Sequence, residues 1–423
     1  MPSPSQSPTP TSPTLHPPPF TTCTPQETSP LFTVLPPEIR HEIFSYALSS
    51  YEDPDPAHAY ARETYWRRPG HSAPRRTDTA LLRTCKQAYL ETWFMPFALA
   101  EHTIYLTAVD RAPPLGPRGG RISVPALKTA LSVIHRAHFH STSMGTGTGT
   151  GTAQGTDDES KNEAEGENDD DDDEGMPIDI ETGPVRIFAQ LWILQPGSAL
   201  SRVLSLEHFA PRLVTLTIRY TDFWHWEDNR PLFVHAEWVR MVVFPASVTT
   251  FVIEFESLER RREEVDIVAG QAVEKWVFRR RDGKTLKARG GDETTVQRWS
   301  GSSMFGGRRW VRDETRPGVL DYYVLSVPWR VSNDQEQRLV SPDIRVPDDF
   351  VQPPVPFQGG VSLTKLDMRM AGVTVDTPAQ EAVDLVREAR SHRSAMRART
   401  RSIGRAWRME GIMRGRGRGS DLI

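Results

Sequence analysis

Cysteine is nearly absent from this chain. Its 423 residues hold two, Cys23 in a proline-rich stretch and Cys85 in a helical pattern. A disulfide framework is therefore excluded, and free thiols fit an intracellular setting, cytoplasm or nucleus. Long apolar runs are missing too. No stretch approaches the roughly 18 residues that span a bilayer, and residues 1–30 lack the basic and apolar segments of a secretory leader. Hydrophobic residues make up only 37% of the chain, against 35 prolines and 29 glycines, a mixture expected of folded segments diluted by disordered ones. Nucleophile elbows, phosphate-cradling glycine loops and zinc-protease helices are absent. No enzyme activity, cofactor or metal is expected. What is present is aromatic: 11 Trp and 17 Phe imply a substantial core. Net charge is −4, which names no partner, but the charges are segregated along the chain.

Residues 1–30 are rich in Pro, Ser and Thr and should be disordered. The run Leu35-Pro36-Pro37-Glu38-Ile39-Arg40 opens a helix, with Pro36 expected at the first helical position, where a missing amide hydrogen costs nothing. Ile39, Ile43, Tyr46 and Ala47 share a face that Phe44 and Leu48 widen. Residues 49–78 read as a long polar loop. Asp78 then caps a helix over 79–95, and 102–108 reads as a strand. A short helix is expected over 127–134 and a strand over 135–140. The glycine–threonine repeat 145–152 and the acidic run 157–174, with Asp169 to Asp173 consecutive, should form a disordered insertion.

Beyond it, 185–194 and 198–209 look helical, 213–220 alternates like a strand, 233–244 looks helical, and 249–256 is a second strong strand. A charged helix over 258–273 leads to a strand at 274–280. Asp282-Gly283 signals a hairpin into 284–288, and 311–331 offers a strand pair. Strands separated by helices imply right-handed crossovers and a parallel sheet. Two strand–helix units recur about 36 residues apart, at 213 and 249, which is compatible with a short leucine-rich-repeat-like array. Residues 332–379 form a Pro-rich linker, 380–399 an Arg-rich helix, and 414–419 a flexible Arg-Gly end.

The head resembles the F-box, and more narrowly the F-box-like proteins of filamentous fungi. In these a Phe-x-x-Leu-Pro-x-Glu-Ile-Arg helix is followed at a distance by a Leu-Leu-x-Thr-Cys-Lys/Arg-Gln-x-Tyr-x-Glu helix and a short strand. Phe32, Leu35 to Arg40, Leu81 to Glu91 and Thr103 to Leu106 match, so the resemblance covers roughly residues 31–108. It implies a helical head that docks a Skp1-type linker and presents a downstream domain as substrate receptor of a cullin ubiquitin ligase. The chain departs from a compact F-box in the 49–78 loop between its two helices.

The expected fold is therefore α+β: an F-box-like head (31–141), a disordered insertion (142–184), a mixed α/β sheet region (185–331), the linker, and a basic helix and tail (380–423). The expected function is a non-enzymatic adaptor for protein partners. Leu35, Pro36, Ile39 and Ile43 are the docking candidates, with packing against the second helix as the rival reading. Phe223, Trp224 and Trp226, just after a strand, are the target-binding candidates, with a packed corner as the rival. His135, His138 and His140 lack further ligands at zinc spacing. The alternative function is weak, non-specific nucleic-acid binding through Arg397, Arg399, Arg401, Arg405 and Arg408, with Trp407 available for stacking.

Overall fold

The computed structural model describes residues 23–116, 121–143, 180–288, 293–332, 343–358 and 362–416, with side chains of 138–143 and 403–416 left out. Most of the expected N-terminal tail, the glycine–threonine and acidic runs and the end of the basic tail lie outside the described residues. Both cysteines are free. Among the described residues no helix is long and apolar enough to cross a membrane.

The molecule is a mixed α+β structure built on one strongly curled, half-barrel sheet. Its strands are β1 (His102–Leu106), β2 (Val185–Ala189), β3 (Leu213–Ile218), β4 (Val243–Phe244), β5 (Thr250–Leu258), β6 (Val277–Arg280), β7 (Thr285–Ala288), β8 (Thr295–Ser302) and β9 (Val319–Ser332). The order is β1-β2-β3-β5-β9-β7-β6-β4, with β8 beside the first half of β9. β1, β2, β3 and β5 form the expected parallel run, and β4 also runs parallel to β6. The sheet turns antiparallel at β9, which pairs with β5 from Tyr322 to Arg330. Asp282-Gly283 makes the expected hairpin, with Gly283 at φ 78°.

Alternation along the strands separates two faces. Val214, Leu216, Ile218, Phe251, Ile253 and Phe255 face the main core with Trp329 and Phe278. Helices close this side: α4 (Val124–Ser143) with Leu127 and Leu131, α5 (Ser198–Leu204) with Leu200 and Val203, and α6 (Arg262–Lys275) with Val265, Val268 and Ala272. The head precedes them: α1 (Pro37–Leu48), α2 (Lys86–Thr92) and α3 (Met95–Leu99) close on a small separate core of Phe44, Leu48 and Met95. At the C-terminus α7 (Lys365–Ala371) and the start of α8 (Ala379–Arg416) cover a further cluster around Met304, Val311 and Val383.

Several expectations are corrected. Pro36 stands just before α1 and Pro37 begins it. The helix read over 79–95 is broken into a 3-10 turn (Ala80–Arg83), α2 and α3. Asp78 accepts from Ala80 N at 2.8 Å, while Cys85 Sγ caps α2 by accepting from Ala88 N at 3.4 Å. Residues 135–140 are not a strand: α4 runs through them, because Leu127, Leu131, Ile134 and Ala137 repeat at helical spacing and bury one stripe. Residues 185–189 are not helical but the inner strand β2, whose short apolar run is ambiguous in period. Residues 233–244 hold two short strands around a one-turn helix. The pair read over 311–331 is one long strand, β9, partnered by the unanticipated β8.

Candidate functional site

The second face of the sheet is charged and yet buried. Arg186 on β2, Thr217 on β3 and Glu254 and Glu256 on β5 point the same way, because the parallel register sets Phe188 beside Thr217 and Thr217 beside Glu254. Arg186 Nη1 donates to Glu254 Oε2 at 2.7 Å, and Thr217 Oγ1 donates to the same oxygen at 2.6 Å. Trp299 Nε1 on β8 donates to Glu256 Oε2 at 3.3 Å.

The expected loop at 49–78 covers this face as an ordered strap. Its base pairs Tyr51–Glu52 with Arg75–Arg76, and Glu52 accepts from both Ser72 N (2.8 Å) and Ser72 Oγ (2.6 Å). Arg68 then reaches Glu256 at 2.9 Å and Glu254 at 3.8 Å. Tyr65 sits at the strap tip against Phe305, 5.2 Å between centroids, and its carbonyl accepts from Arg219 Nη1 at 3.2 Å. Phe188 lies under two guanidiniums, those of Arg219 (5.3 Å) and Arg68 (5.5 Å).

Electrostatics separates the two neighbouring carboxyls. Burial would raise Glu254, but Arg186 and Arg68 outweigh it and hold the group below its ordinary value. At Glu256 burial prevails over Arg68 and Arg219, and the carboxyl is pushed up. His71, on the strap, is driven down to about 2 by burial and by the cations of Arg186 and Arg68, so it stays neutral 3.6 Å from Glu101.

A second feature lies at the carboxyl ends of β1, β2 and β3, where open parallel sheets commonly bind ligands. The crevice there is lined by Gln190, Trp192, Trp224, His225, Glu227 and Asp228. Arg219 clamps Asp222 through both carboxylate oxygens, at 2.6 and 3.1 Å. Arg312 holds the next turn by donating to the Glu227 and Trp226 carbonyls at 2.6 and 3.2 Å. His225 and Asn229 sit at φ 54° and 55°, a conformation that costs energy outside glycine and recurs at binding sites.

Of the three aromatic candidates, Phe223 and Trp226 are buried, Trp226 4.4 Å from Trp310. Trp224 is half-buried, with Nε1 enclosed and unpartnered. Trp192, 51% exposed, joins it from a different strand end, and no motif in the sequence marks it.

In the head, Phe44 and Leu48 are buried, while Ile39 and Ile43 are exposed at 44% and 42%, alongside Val34 and Tyr46. Leu35 is half-buried and Pro36 exposed. The motif residues Arg40 and Glu91 lock α1 to α2 through paired 3.2 Å hydrogen bonds. On α8, Arg397, Arg399 and Arg401 are exposed; the side chains of Arg405, Trp407 and Arg408 lie outside the described residues. His135 stacks on His208 with centroids 3.5 Å apart. Among the described residues no group of three or more His, Cys, Asp or Glu is arranged to hold a metal. Comparison with protein-family models, with curated proteins and with solved structures finds no match.

Proposed function

We propose that the protein is a non-enzymatic adaptor whose F-box-like head docks a partner of the Skp1-type linker class and whose sheet region engages a protein target. The observation that carries this reading is the outer stripe of α1. Ile39, Ile43 and Tyr46 lie four and three residues apart on an exposed helix face, next to Val34, while the same helix packs through Phe44 and Leu48. Single exposed apolar residues are ordinary; a contiguous stripe marks an interaction surface. Helix-in-groove recognition uses this spacing of anchors.

For the target, the crevice with Trp192, Trp224 and His225 is favoured, since partly exposed Trp dominates interface hot spots. The crevice is mounted on the carboxyl ends of the parallel strands β1, β2 and β3.

The test is co-purification with a Skp1-type linker. Ile39→Asp with Ile43→Asp should abolish capture with the melting temperature unchanged. A wild-type chain that captures no linker, or a double variant that still does, overturns the docking reading.

The alternative, nucleic-acid binding through α8, is supported by the exposed Arg397, Arg399 and Arg401. It requires an affinity that falls steeply with salt, because each neutralised phosphate releases a counterion. Fluorescence anisotropy of duplex DNA across a salt series, with and without residues 387–419, decides it.

A further inference from the structure

The strap leaves a cleft against β8, and its walls carry more positive charge than the structure neutralises. Arg62, Arg67 and Arg68 all line it from one short stretch, facing Ser302 and the Trp299 ring. Other charged groups in the walls have partners. Arg219 is paired with Asp222, Glu63 with Lys365 at 2.5 Å, Arg316 with Asp321 at 3.6 Å, and Glu256 with Arg68 at 2.9 Å. Arg62 and Arg67 have no acidic partner among the described residues. The remaining wall carboxylate is Asp376, at the outer rim, so the balance stays positive. Arg68 is nine-tenths buried, and its Nη1 is enclosed with no hydrogen-bond partner, a state rarely left uncompensated.

The apolar part of the cleft is equally specific. Trp299 stacks on Tyr322 at 4.1 Å with the planes 9° apart, and Tyr65 and Phe305 close the inner end. Gly301 permits that stack: a Cβ there would lie 2.6 Å from Trp299 Cζ3 and 3.0 Å from Tyr322 Cε2. The inner lobe alone has room for about 40 Å³, but it opens into an outer lobe of about 680 Å³ that shares Arg62, Arg67, Arg68 and Trp299, within the range of small-ligand sites.

We propose that this cleft binds a small oxyanion carried on a planar ring, with Arg62 and Arg67 holding the anionic group and the Trp299–Tyr322 wall taking the ring. Guanidinium forks recognise phosphate and carboxylate alike, so the shared chemistry is the ring-borne oxyanion. The site does not involve the exposed stripe of α1 and does not rest on the adaptor reading.

The test is isothermal titration of the full chain with phenyl phosphate, benzoate and inorganic phosphate. Phenyl phosphate or benzoate should bind with a Kd below about 1 mM, and about tenfold more tightly than inorganic phosphate. The tighter of the two ring probes identifies the anionic group. Arg62→Ala with Arg67→Ala, both toward the surface, should weaken that binding about tenfold or more without changing the melting temperature, whereas Ile39→Asp should leave it untouched. Equal binding of inorganic phosphate removes the ring from the proposal. Absence of saturable binding by either ring probe, or binding that survives the double arginine variant, overturns the site.

Discussion

The guanidinium of Arg68, carried on the strap, lies 2.9 Å from the carboxylate of Glu256 on β5. One comes from a surface connection and the other from the inner part of the sheet, and both are buried. Their contact turns a polar loop into a lid on the charged face.

Arg68→Ala leaves Glu256 enclosed without its cation. Breaking one partner of a buried pair costs about 3–5 kcal/mol, and the group can reduce that cost by taking up a proton. Urea denaturation should therefore show a large loss at neutral pH and a smaller one in mild acid. Arg68→Met with Glu256→Gln should recover most of the loss, since replacing both charges avoids an uncompensated one. A double variant as unstable as the single one would mean that Arg68 acts through packing alone.

The titrations of this face have opposing signs. His71 is depressed to about 2 in the folded chain, so below the ordinary histidine range the unfolded chain binds one more proton than the native one. Its stabilisation is full above the unfolded value and is lost as pH falls, at about 1.4 kcal/mol per pH unit. Glu254, held low, adds stability above the ordinary carboxylate range that is lost as pH falls through its folded value. Glu256, held high, opposes folding as pH rises through that range. His71→Gln should flatten the stability profile between about pH 6.5 and pH 5. Glu254→Gln should destabilise at neutral pH, and Glu256→Gln should remove the opposing slope while still costing stability, because Arg68 loses its 2.9 Å carboxylate partner. Denaturation midpoints across this range check all three.

Gly306 anchors the strap tip by lacking a side chain. It sits at φ 61°, and a Cβ there would lie 2.0 Å from Tyr65 Oη and 2.7 Å from Tyr65 Cζ. Gly306→Ala should dislodge Tyr65 and cost about 1–3 kcal/mol through overpacking, with backbone strain added. Limited proteolysis should then cut within 59–76, where the wild-type strap resists. An unchanged digestion pattern would show that Tyr65 does not seat the strap.

The head separates packing from presentation on a single helix. Phe44→Ala should cost about 3–5 kcal/mol of head stability by opening a cavity. Ile43→Ala, on the exposed stripe, should change it by less than about 0.5 kcal/mol. Near-ultraviolet circular dichroism and thermal melts of the two variants distinguish them. Equal losses would place both residues in the core.

Local pattern was enough for part of this molecule. The alternation at 213–220 and 249–256, the charged helix after it and the Asp282-Gly283 turn each depend on neighbours a few residues apart, and each is found close to where the sequence puts it. The same pattern misassigned Val185–Ala189 and residues 135–140, because a five-residue apolar run fits either period, and only the neighbouring β1 and β3 make a strand of the first. The run 249–256 read correctly as a strand, but not as one buried on both sides. That was decided by the strap, some two hundred residues away in sequence, whose arginine neutralises the polar face and permits its burial. Trp192 reaches Trp224 for the same kind of reason: two strand ends become neighbours only when β2 and β3 pair. Periodicity is a property of neighbouring residues, whereas the partner of a buried charge or an exposed ring is set by closure of the sheet, which brings distant segments together.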